Sequence, residues 1–510
     1  MGFAANAVRA GEAGPVLDTS AGRVLGYANG EIKVFKGIPY GADTSGAGRF
    51  MPPRKPMPWT GVRRSVDLGN RAPQNPTPDL MPEEAAMLPS EPMSEDCLRL
   101  NVWTPALSDG RKRPIMVWFH GGGFTTGSGG SPRNDGSRLC ARHDVVVVTV
   151  NHRLNVFGFL HLGEGRFADA GNVGMLDCIA ALEWVRDNAA AIGGDAGNVT
   201  IFGESGGARK VSTLMAMPAA RGLFHRVIAE SGVALRVNTA AAATRTADLV
   251  LRHLGIARTQ LDQLQAVPQQ RLLDAIAAIA EPLSFMPVAD GRALKGQPFD
   301  PAAPDISADV PMMVGSNTTE ITFRAETPLD PIDEAALKSK LKGYTRAADA
   351  DIDALIALYR RTRPQAPNHY LYQLIASDWW LTADVALQAE RKAALGRAKA
   401  FVYHFAKTTP VRGGKLNSPH TLEIAYAFDT VDISAVVTGK GPERQALADR
   451  MSAAWTAFAR TGDPSTPALP WPAYSAAKRS VMVLNDECRV VEDPNAEERT
   501  AITAAKARTA

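Results

Sequence analysis

Short runs of consecutive apolar residues constrain the fold of this chain more than any other feature of its sequence. The runs PIMVWF (114–119) and VVVVTV (145–150) contain one polar residue between them. A strand formed by either run would therefore be apolar on both faces. Strands of this kind are typical of parallel sheets that helices cover on both sides.

Segments with helical periodicity alternate with these and later apolar runs. The stretch 175–192 has a helical pattern, NVTIF (198–202) returns to a strand pattern, and 205–217 is helical again. HRVIAE (225–230), PMMVG (311–315) and AKAFVYHFA (398–406) continue the alternation. The pattern predicts an α/β fold with a large, mostly parallel central sheet. SVMVL (480–484) is the last predicted strand, and a polar tail is predicted after it.

Three segments interrupt this alternation, and we interpret the chain as one catalytic domain, 1–510, that carries them as insertions. Residues 51–92 are rich in proline, which neither a helix nor a central strand tolerates. Residues 237–300 and 321–395 are largely helical in pattern. We expect these insertions to form a lid and the walls of a binding gorge, although 51–92 could equally be a plain surface loop.

Charge and cysteine content exclude several classes of function. The chain has 56 lysines and arginines against 53 aspartates and glutamates, and a formal net charge of +3. We therefore predict no nucleic-acid partner and no membrane association. The spacing of the four cysteines matches no zinc site, and so few cysteines in 510 residues suit a reducing compartment. A cytoplasmic protein, monomeric or homodimeric, is the expectation.

The most informative motif is Gly203-Glu204-Ser205-Gly206-Gly207. It lies between the predicted strand 198–202 and the predicted helix that follows it. This strand–turn–helix context is typical of the nucleophile elbow of α/β-hydrolases, in which glycines on either side make room for a strained serine. The alternative is a glycine-rich connector with an N-capping serine. We predict Ser205 as the nucleophile.

A second glycine-rich motif, His120-Gly121-Gly122-Gly123-Phe124, directly follows the buried strand 114–119. Backbone N–H groups in such a loop stabilise the oxyanion that forms when a carbonyl is attacked. We predict Gly122, Gly123 and Gly206 as the donors and a structural role for His120. A flexible glycine turn is the alternative.

The order of catalytic residues in this fold, serine then acid then histidine, narrows the choice of base and acid. His420 follows the last strong strand in a loop that can reach back to Ser205. Glu320 comes five residues after the strand 311–315, where an orienting carboxylate is expected. The competing residues are His369 and His404 for the base, and Asp290, Asp305 and Asp309 for the acid.

The chain resembles the type-B carboxylesterases, the family that includes para-nitrobenzyl esterases and cholinesterases. The resemblance is carried by FKGIPYG, SEDCLRLNVWTP, WFHGGGFTTGS, FGESGG, MMVGSNTTE and PHTLEIAYAF. It implies the triad Ser205, Glu320 and His420, the three oxyanion donors named above, and an active site at the bottom of a gorge. It also implies a buried ion pair between Glu95 and Arg153. Residues 70–96 contain no aromatic residue, which argues against choline esters as substrates.

Taken together, these residues predict a serine hydrolase that cleaves small-molecule carboxylic esters through an acyl-serine intermediate and requires no metal or cofactor. A carbamate, amide or lactone hydrolase with the same triad is the nearer alternative, and a non-catalytic binding protein the more distant one. Four residues are predicted to contact substrate: Phe124, Glu204, Phe285 and Phe323. Trp379 and Trp380 fit either the pocket or the core.

Overall fold

The apolar runs form the centre of an eleven-stranded sheet in a computed structural model that describes residues 14–509. The strands found in this range are β1 (Val16–Thr19), β2 (Gly22–Leu25), β3 (Tyr27–Asn29), β4 (Ile32–Pro39), β5 (Val62–Arg64), β6 (Arg99–Thr104), β7 (Arg113–Phe119), β8 (Val146–Val150), β9 (Gly194–Glu204), β10 (Arg226–Glu230), β11 (Asn238–Thr239), β12 (Val288–Ala289), β13 (Met312–Asn317), β14 (Ala400–Phe405), β15 (Ser480–Leu484) and β16 (Arg489–Glu492).

The large sheet has the strand order β16-β15-β14-β13-β10-β9-β7-β8-β6-β4-β3. The seven strands from β15 to β8 in this order are mutually parallel, and antiparallel strands flank them on both sides. This arrangement confirms the predicted α/β class with a mostly parallel sheet. The carboxyl ends of the parallel strands meet at one edge, which is where ligands bind in sheets of this type.

Helices cover both faces of the sheet. Those in the described range are α1 (Pro82–Ala85), α2 (Ser137–His143), α3 (Asn155–Phe159), α4 (Val173–Asn188), α5 (Gly206–Leu214), α6 (Ala240–Leu254), α7 (Gln269–Ala278), α8 (Glu334–Thr345), α9 (Asp349–Thr362), α10 (Asn368–Ser377), α11 (Ala383–Ala394), α12 (Ile424–Ala427), α13 (Ala435–Thr438), α14 (Glu443–Thr461) and α15 (Ala496–Thr509). A π-helical turn, Asp378–Thr382, joins α10 to α11. Within residues 14–509, no helix is long and apolar enough to cross a membrane.

Strand β7 shows why the apolar runs lack alternation. Ile115 and Val117 belong to one hydrophobic core, while Met116 and Trp118 belong to a second core on the opposite face. The second core includes Trp455 of α14. Every residue of the strand is buried, and the residues from Ile115 to Phe119 alternate between the two cores.

The prediction of a polar tail after β15 is wrong. Strand β16 pairs antiparallel with β15, and α15 then packs against α9. Ile502 is fully buried in the core shared with α8, α9 and α10, and ion pairs such as Arg363–Glu498, at 2.5 Å, hold the rest of the helix. Because so few apolar residues hold this helix, its sequence has little hydrophobic periodicity from which a helix could be predicted.

The ion pair between Glu95 and Arg153, which the resemblance implies, is not formed, so this prediction is also wrong. Glu95 pairs with Arg49, whose Nε lies 2.7 Å from Glu95 Oε2. Arg153 instead contacts Asp177 of α4, with its Nε 2.8 Å from Oδ2 and its Nη2 2.7 Å from Oδ1. All four side chains are buried. Each arginine thus faces a carboxylate in paired, two-point geometry, which is the favourable arrangement for a buried guanidinium.

Candidate active site

Ser205 occupies a strained turn between β9 and α5. Its backbone angles are φ 55° and ψ −116°, a region that costs about 1–3 kcal/mol for a residue with a side chain. The glycines around it permit this turn, because a Cβ on Gly203 or Gly207 would collide with the carbonyl oxygen of Phe119 at the end of β7. The serine is thereby placed at the carboxyl edge of the sheet, where it lines a large cavity.

His420 and Glu320 lie together at the same edge. His420 Nδ1 is 2.6 Å from Glu320 Oε2, and both side chains are buried. The other carboxylate oxygen of Glu320 accepts a hydrogen bond from the backbone N–H of Asn317, at 2.6 Å. Glu320 is therefore fixed at the end of β13 and in turn fixes the plane and tautomer of the imidazole.

The free nitrogen of this imidazole faces the cavity beside Glu204. His420 Nε2 lies 3.1 Å from Glu204 Oε1, although the two groups are not aligned as a hydrogen bond. No hydrogen bond between Nε2 and the Ser205 hydroxyl is present among the described residues, while both side chains line the same cavity. Hydrogen bonds of this kind often tighten only when substrate is bound.

The glycine loop after β7 approaches the start of α5. Gly122 and Gly123 have φ values of 80° and 63°, and a Cβ on Gly206 would collide with the backbone of Gly123. Within residues 14–509, the N–H groups of Gly122 and Gly123 have no hydrogen-bond acceptor, and all three glycines line the cavity. This loop and the first turn of α5 therefore present free donors to one small volume.

A buried lysine of α5 holds the glycine loop in place. Lys210 Nζ donates to the carbonyl oxygens of His120 and Gly123, both at 2.9 Å. Burial lowers the pKa of Lys210 from 10.5 to about 7. His120 stacks on His152 with ring centroids 4.9 Å apart, and its Nδ1 lies 2.9 Å from the carbonyl oxygen of Gly121. These contacts agree with the structural role predicted for His120.

Two further buried carboxyl groups, those of Glu204 and Glu423, lie near His420. Burial raises the pKa of Glu204 well above its usual value, and neighbouring Glu423 and Glu320 add to the effect. Burial and Glu320 likewise raise the pKa of Glu423 to about 7. Ser231 and Asn317 both donate to Glu423, the amide of Asn317 at 2.5 Å. The neutral form of these acids is favoured first because burial penalises the charged form, and second because neighbouring carboxylates repel it.

Glu230, at the end of β10, gives a prediction about stability. Burial, with a contribution from Glu423, raises its pKa from 4.5 to about 8. The unfolded chain releases this proton near pH 4.5 and the folded chain near pH 8, so the associated stability is complete below pH 4.5 and is lost as the pH rises to about 8. At about 1.4 kcal/mol per pH unit, the loss reaches roughly 5 kcal/mol.

We expect Glu230→Gln to reduce this loss of stability with rising pH. The amide oxygen can still accept the hydrogen bond from Trp455 Nε1, which is 2.8 Å from the carboxyl group. Urea unfolding midpoints at several pH values between 5 and 8 measure the effect, with the exposed Glu31→Gln as the control for loss of one carboxyl group. Parallel pH curves for wild type and Glu230→Gln would refute the prediction.

The cavity above Ser205 has a volume of about 650 Å³, within the usual range for small-molecule sites. Residues of all three predicted insertions line it, among them Leu80, Met87, Leu283, Phe285, Phe323 and Trp380. Phe323 and Trp380 each lie 4.9 Å from the His420 ring, measured between centroids.

Of the four residues predicted to contact substrate, Glu204, Phe285 and Phe323 reach the cavity lining. The Glu204 carboxyl group is turned toward His420 rather than toward open volume. Phe124 does not line the cavity. Its ring is buried in the core, 5.1 Å from Phe159 and 5.3 Å below the Lys210 ammonium group. The side chain points away because only the backbone of the glycine loop faces the cavity.

The alternative histidines lie elsewhere. His404 is half-buried in β14 with its Nε2 3.0 Å from Thr318 Oγ1, and desolvation lowers its pKa to about 4. His369 is in the first turn of α10, outside the cavity lining. Lys210 and the Ser231–Glu423 pair were not predicted from the sequence. The one visible signal was the consecutive pair Arg209-Lys210, which follows the serine motif in a helix of otherwise uncharged residues.

Comparison with known proteins gives a consistent result. The family described as "Carboxylesterase family" matches residues 13–502. A para-nitrobenzyl esterase of Bacillus subtilis (strain 168) is 35% identical over 95% of this chain and 97% of its own length. A phenmedipham hydrolase of Pseudarthrobacter oxydans is 32% identical over 93% of this chain and 95% of its own length. The crystal structure of a Geobacillus stearothermophilus carboxylesterase superposes with a TM-score of 0.80 at 35% identity, and covers 95% of this chain and 99% of that one.

Proposed function

Since the chain belongs to the carboxylesterase family, we propose that Ser205, His420 and Glu320 are its catalytic triad and that Gly122, Gly123 and Gly206 form its oxyanion hole. The chain is a serine hydrolase of carboxylic esters. The roles assigned to individual residues are our proposal. The observation that carries it is the 2.6 Å contact of His420 Nδ1 with Glu320 at the edge of the sheet where the strained Ser205 turn lies.

The first half of the reaction forms the acyl-enzyme. His420 Nε2 takes the proton of the Ser205 hydroxyl as its oxygen attacks the ester carbonyl carbon. The negative charge that develops on the carbonyl oxygen is stabilised by the N–H groups of Gly122, Gly123 and Gly206. The tetrahedral intermediate then collapses, the bond to the alkoxy oxygen breaks, and His420 gives its proton to the departing alcohol.

The second half returns the enzyme to its starting state. A water molecule takes the place of the alcohol, and His420 removes one of its protons as the oxygen attacks the acyl carbon. The second tetrahedral intermediate releases the carboxylic acid, and the Ser205 hydroxyl regains its proton from His420. Glu320 stabilises the imidazolium in both halves and keeps its own negative charge.

A substrate panel tests the choice of ester over other acyl bonds. We expect purified enzyme to hydrolyse p-nitrophenyl esters faster than a matched p-nitroanilide and p-nitrophenyl carbamate by about two orders of magnitude or more in kcat/KM. The matched acyl group is butyryl, and acetyl through octanoyl esters measure chain-length preference. An anilide or carbamate hydrolysed faster than the ester would move the assignment to that bond.

We further infer a cytoplasmic location from the cysteines. Cys97, Cys140, Cys178 and Cys488 are all unpaired, and the first three are buried. Free thiols persist in a reducing compartment, whereas secreted proteins of oxidising compartments commonly pair them.

A further inference from the structure

A partly buried arginine without an anionic partner lies beside the proposed nucleophile. Arg209 is one helical turn after Ser205 in α5 and lines the cavity. Across residues 14–509, its guanidinium makes neither a hydrogen bond nor an ion pair with another residue. Asp384 is the carboxylate that influences it, but that group already contacts Lys506 Nζ at 2.6 Å. A partly buried guanidinium that lacks a carboxylate partner and faces a cavity is available to bind an anion there.

A second arginine of the same cavity also lacks a close carboxylate partner. Arg324 directly follows the turn that carries Glu320, and its guanidinium lies over the rings of Phe323 and Trp380, 5.1 Å and 5.8 Å from their centroids. The closest carboxylate, that of Glu326, is 3.9 Å away. The Nε of Arg324 is buried without a hydrogen-bond partner in the described structure. The two aromatic rings hold this cation close to His420.

The other charged groups of the cavity leave this positive charge uncompensated. Glu84 and Arg133 pair with each other at 2.9 Å. Burial, together with Glu423 and Glu320, raises the pKa of Glu204 and favours its neutral form. Glu281 is the remaining carboxylate of the lining, and it is exposed to solvent. Among the charged residues that line the cavity, Arg209 and Arg324 are therefore the two cations without a close carboxylate partner.

We propose that Arg209 and Arg324 bind a carboxylate group on the substrate, so that the enzyme prefers esters that carry a second, ionised carboxyl group, such as half-esters of dicarboxylic acids. This inference rests on the proposed function of Ser205. Guanidinium groups bind carboxylates through paired, charge-assisted hydrogen bonds. The proposal accounts for two cations that the triad chemistry does not use. Hydrolysis of such a half-ester consumes one water and yields an alcohol, a dicarboxylate and one proton.

Two matched substrate pairs test the proposal. The first pair is mono-p-nitrophenyl adipate and its neutral amide analogue, p-nitrophenyl adipamate, which differ only at the far end of the acyl chain. The second pair is 4-acetoxybenzoate and 4-acetoxybenzamide, which differ only on the leaving group. For at least one pair, we expect the carboxylate ester to exceed the amide in kcat/KM by about tenfold or more, because a hydrogen bond to a charged group contributes roughly that factor.

Substitution of the two arginines tests whether they cause the preference for the carboxylate ester over the amide. Arg209→Met and Arg324→Gln should each reduce the acid-to-amide ratio by about threefold or more, and the double variant should bring it near one. Using a ratio separates loss of anion binding from general damage to the enzyme. Arg412→Gln is the matched control, because Arg412 is outside the cavity lining and pairs with Glu83 at 2.8 Å; this variant should keep the wild-type ratio.

The outcomes separate this inference from the function on which it rests. A wild-type ratio near one for both pairs, with the neutral esters still hydrolysed, would overturn the anion site and leave the esterase assignment intact. An acid-to-amide ratio unchanged in Arg209→Met and Arg324→Gln would also overturn it. Failure of the wild-type enzyme to cleave any of the four esters would instead refute the proposed function.

Discussion

Replacing Ser205 with alanine is expected to lower kcat for p-nitrophenyl butyrate by roughly 10⁴- to 10⁶-fold, since loss of a nucleophile removes the acyl-enzyme route entirely. The strained backbone of this turn, with φ 55° and ψ −116°, tolerates alanine as well as serine because both have a Cβ. The fold should therefore survive the change, and the melting temperature should stay close to that of wild type. Steady-state kinetics at saturating ester measure the effect.

Covalent labelling gives a second readout of the same variant. A fluorophosphonate probe should modify wild type at one serine and leave Ser205→Ala unlabelled, because the probe traps an activated nucleophile. Ser475→Ala is the matched control: Ser475 is exposed and its hydroxyl contacts only the backbone N–H of Lys478. Retention of most activity or of labelling in Ser205→Ala would place the nucleophile elsewhere.

Glu320→Gln should lower kcat by about 10³- to 10⁴-fold while KM changes little. Glutamine has the shape of glutamate, but it carries no charge to stabilise the imidazolium, and its amide can force the wrong tautomer on His420. The Oε1 contact with the Asn317 N–H, at 2.6 Å, can be kept by the amide oxygen, which then turns the NH₂ group toward His420 Nδ1. Kinetics on p-nitrophenyl butyrate measure the loss.

The exposed Glu31→Gln serves as the control here as well, since it removes one carboxylate that is outside the cavity lining. Labelling by the fluorophosphonate should slow in Glu320→Gln but continue to completion, because Ser205 remains. Activity near that of wild type would mean that another carboxyl group orients His420, and the buried Glu423 or Glu204 would then be the residues to test.

The central sheet could be predicted from the sequence because its signal is local. The residues of β7 from Ile115 to Phe119 alternate between two cores, so this part of the strand appears in the sequence as an unbroken apolar run. The Ser205 turn could be predicted for a related reason. Glycines at 203 and 207 are required by contact with the carbonyl of Phe119, and that requirement is visible as a motif next to a strand.

Features that depend on which distant groups meet could not be predicted. Arg153 is equally compatible, in sequence, with Glu95 and with Asp177; only the packing of α4 brings Asp177 to it. The direction of the Phe124 side chain depends on the fold of the glycine loop, whose backbone faces the cavity while the Phe124 ring packs against Phe159. The proximity of Glu204 to His420 and the anchoring of the glycine loop by Lys210 likewise depend on tertiary contacts between segments far apart in the chain.

The sheet positions the proposed catalytic residues and the insertions form much of the cavity wall, which affects how the substrate range of such a protein can change. The proposed catalytic side chains follow β9, β13 and β14, whereas much of the cavity wall comes from segments between these strands. Exchange, lengthening or loss of wall segments therefore need not displace the reacting groups, which a rigid sheet holds in register. Substrate selectivity can therefore be inherited with the wall segments, and reactivity with the strands. One ancestral fold can acquire new substrates by recombination of its loops while its chemistry stays the same.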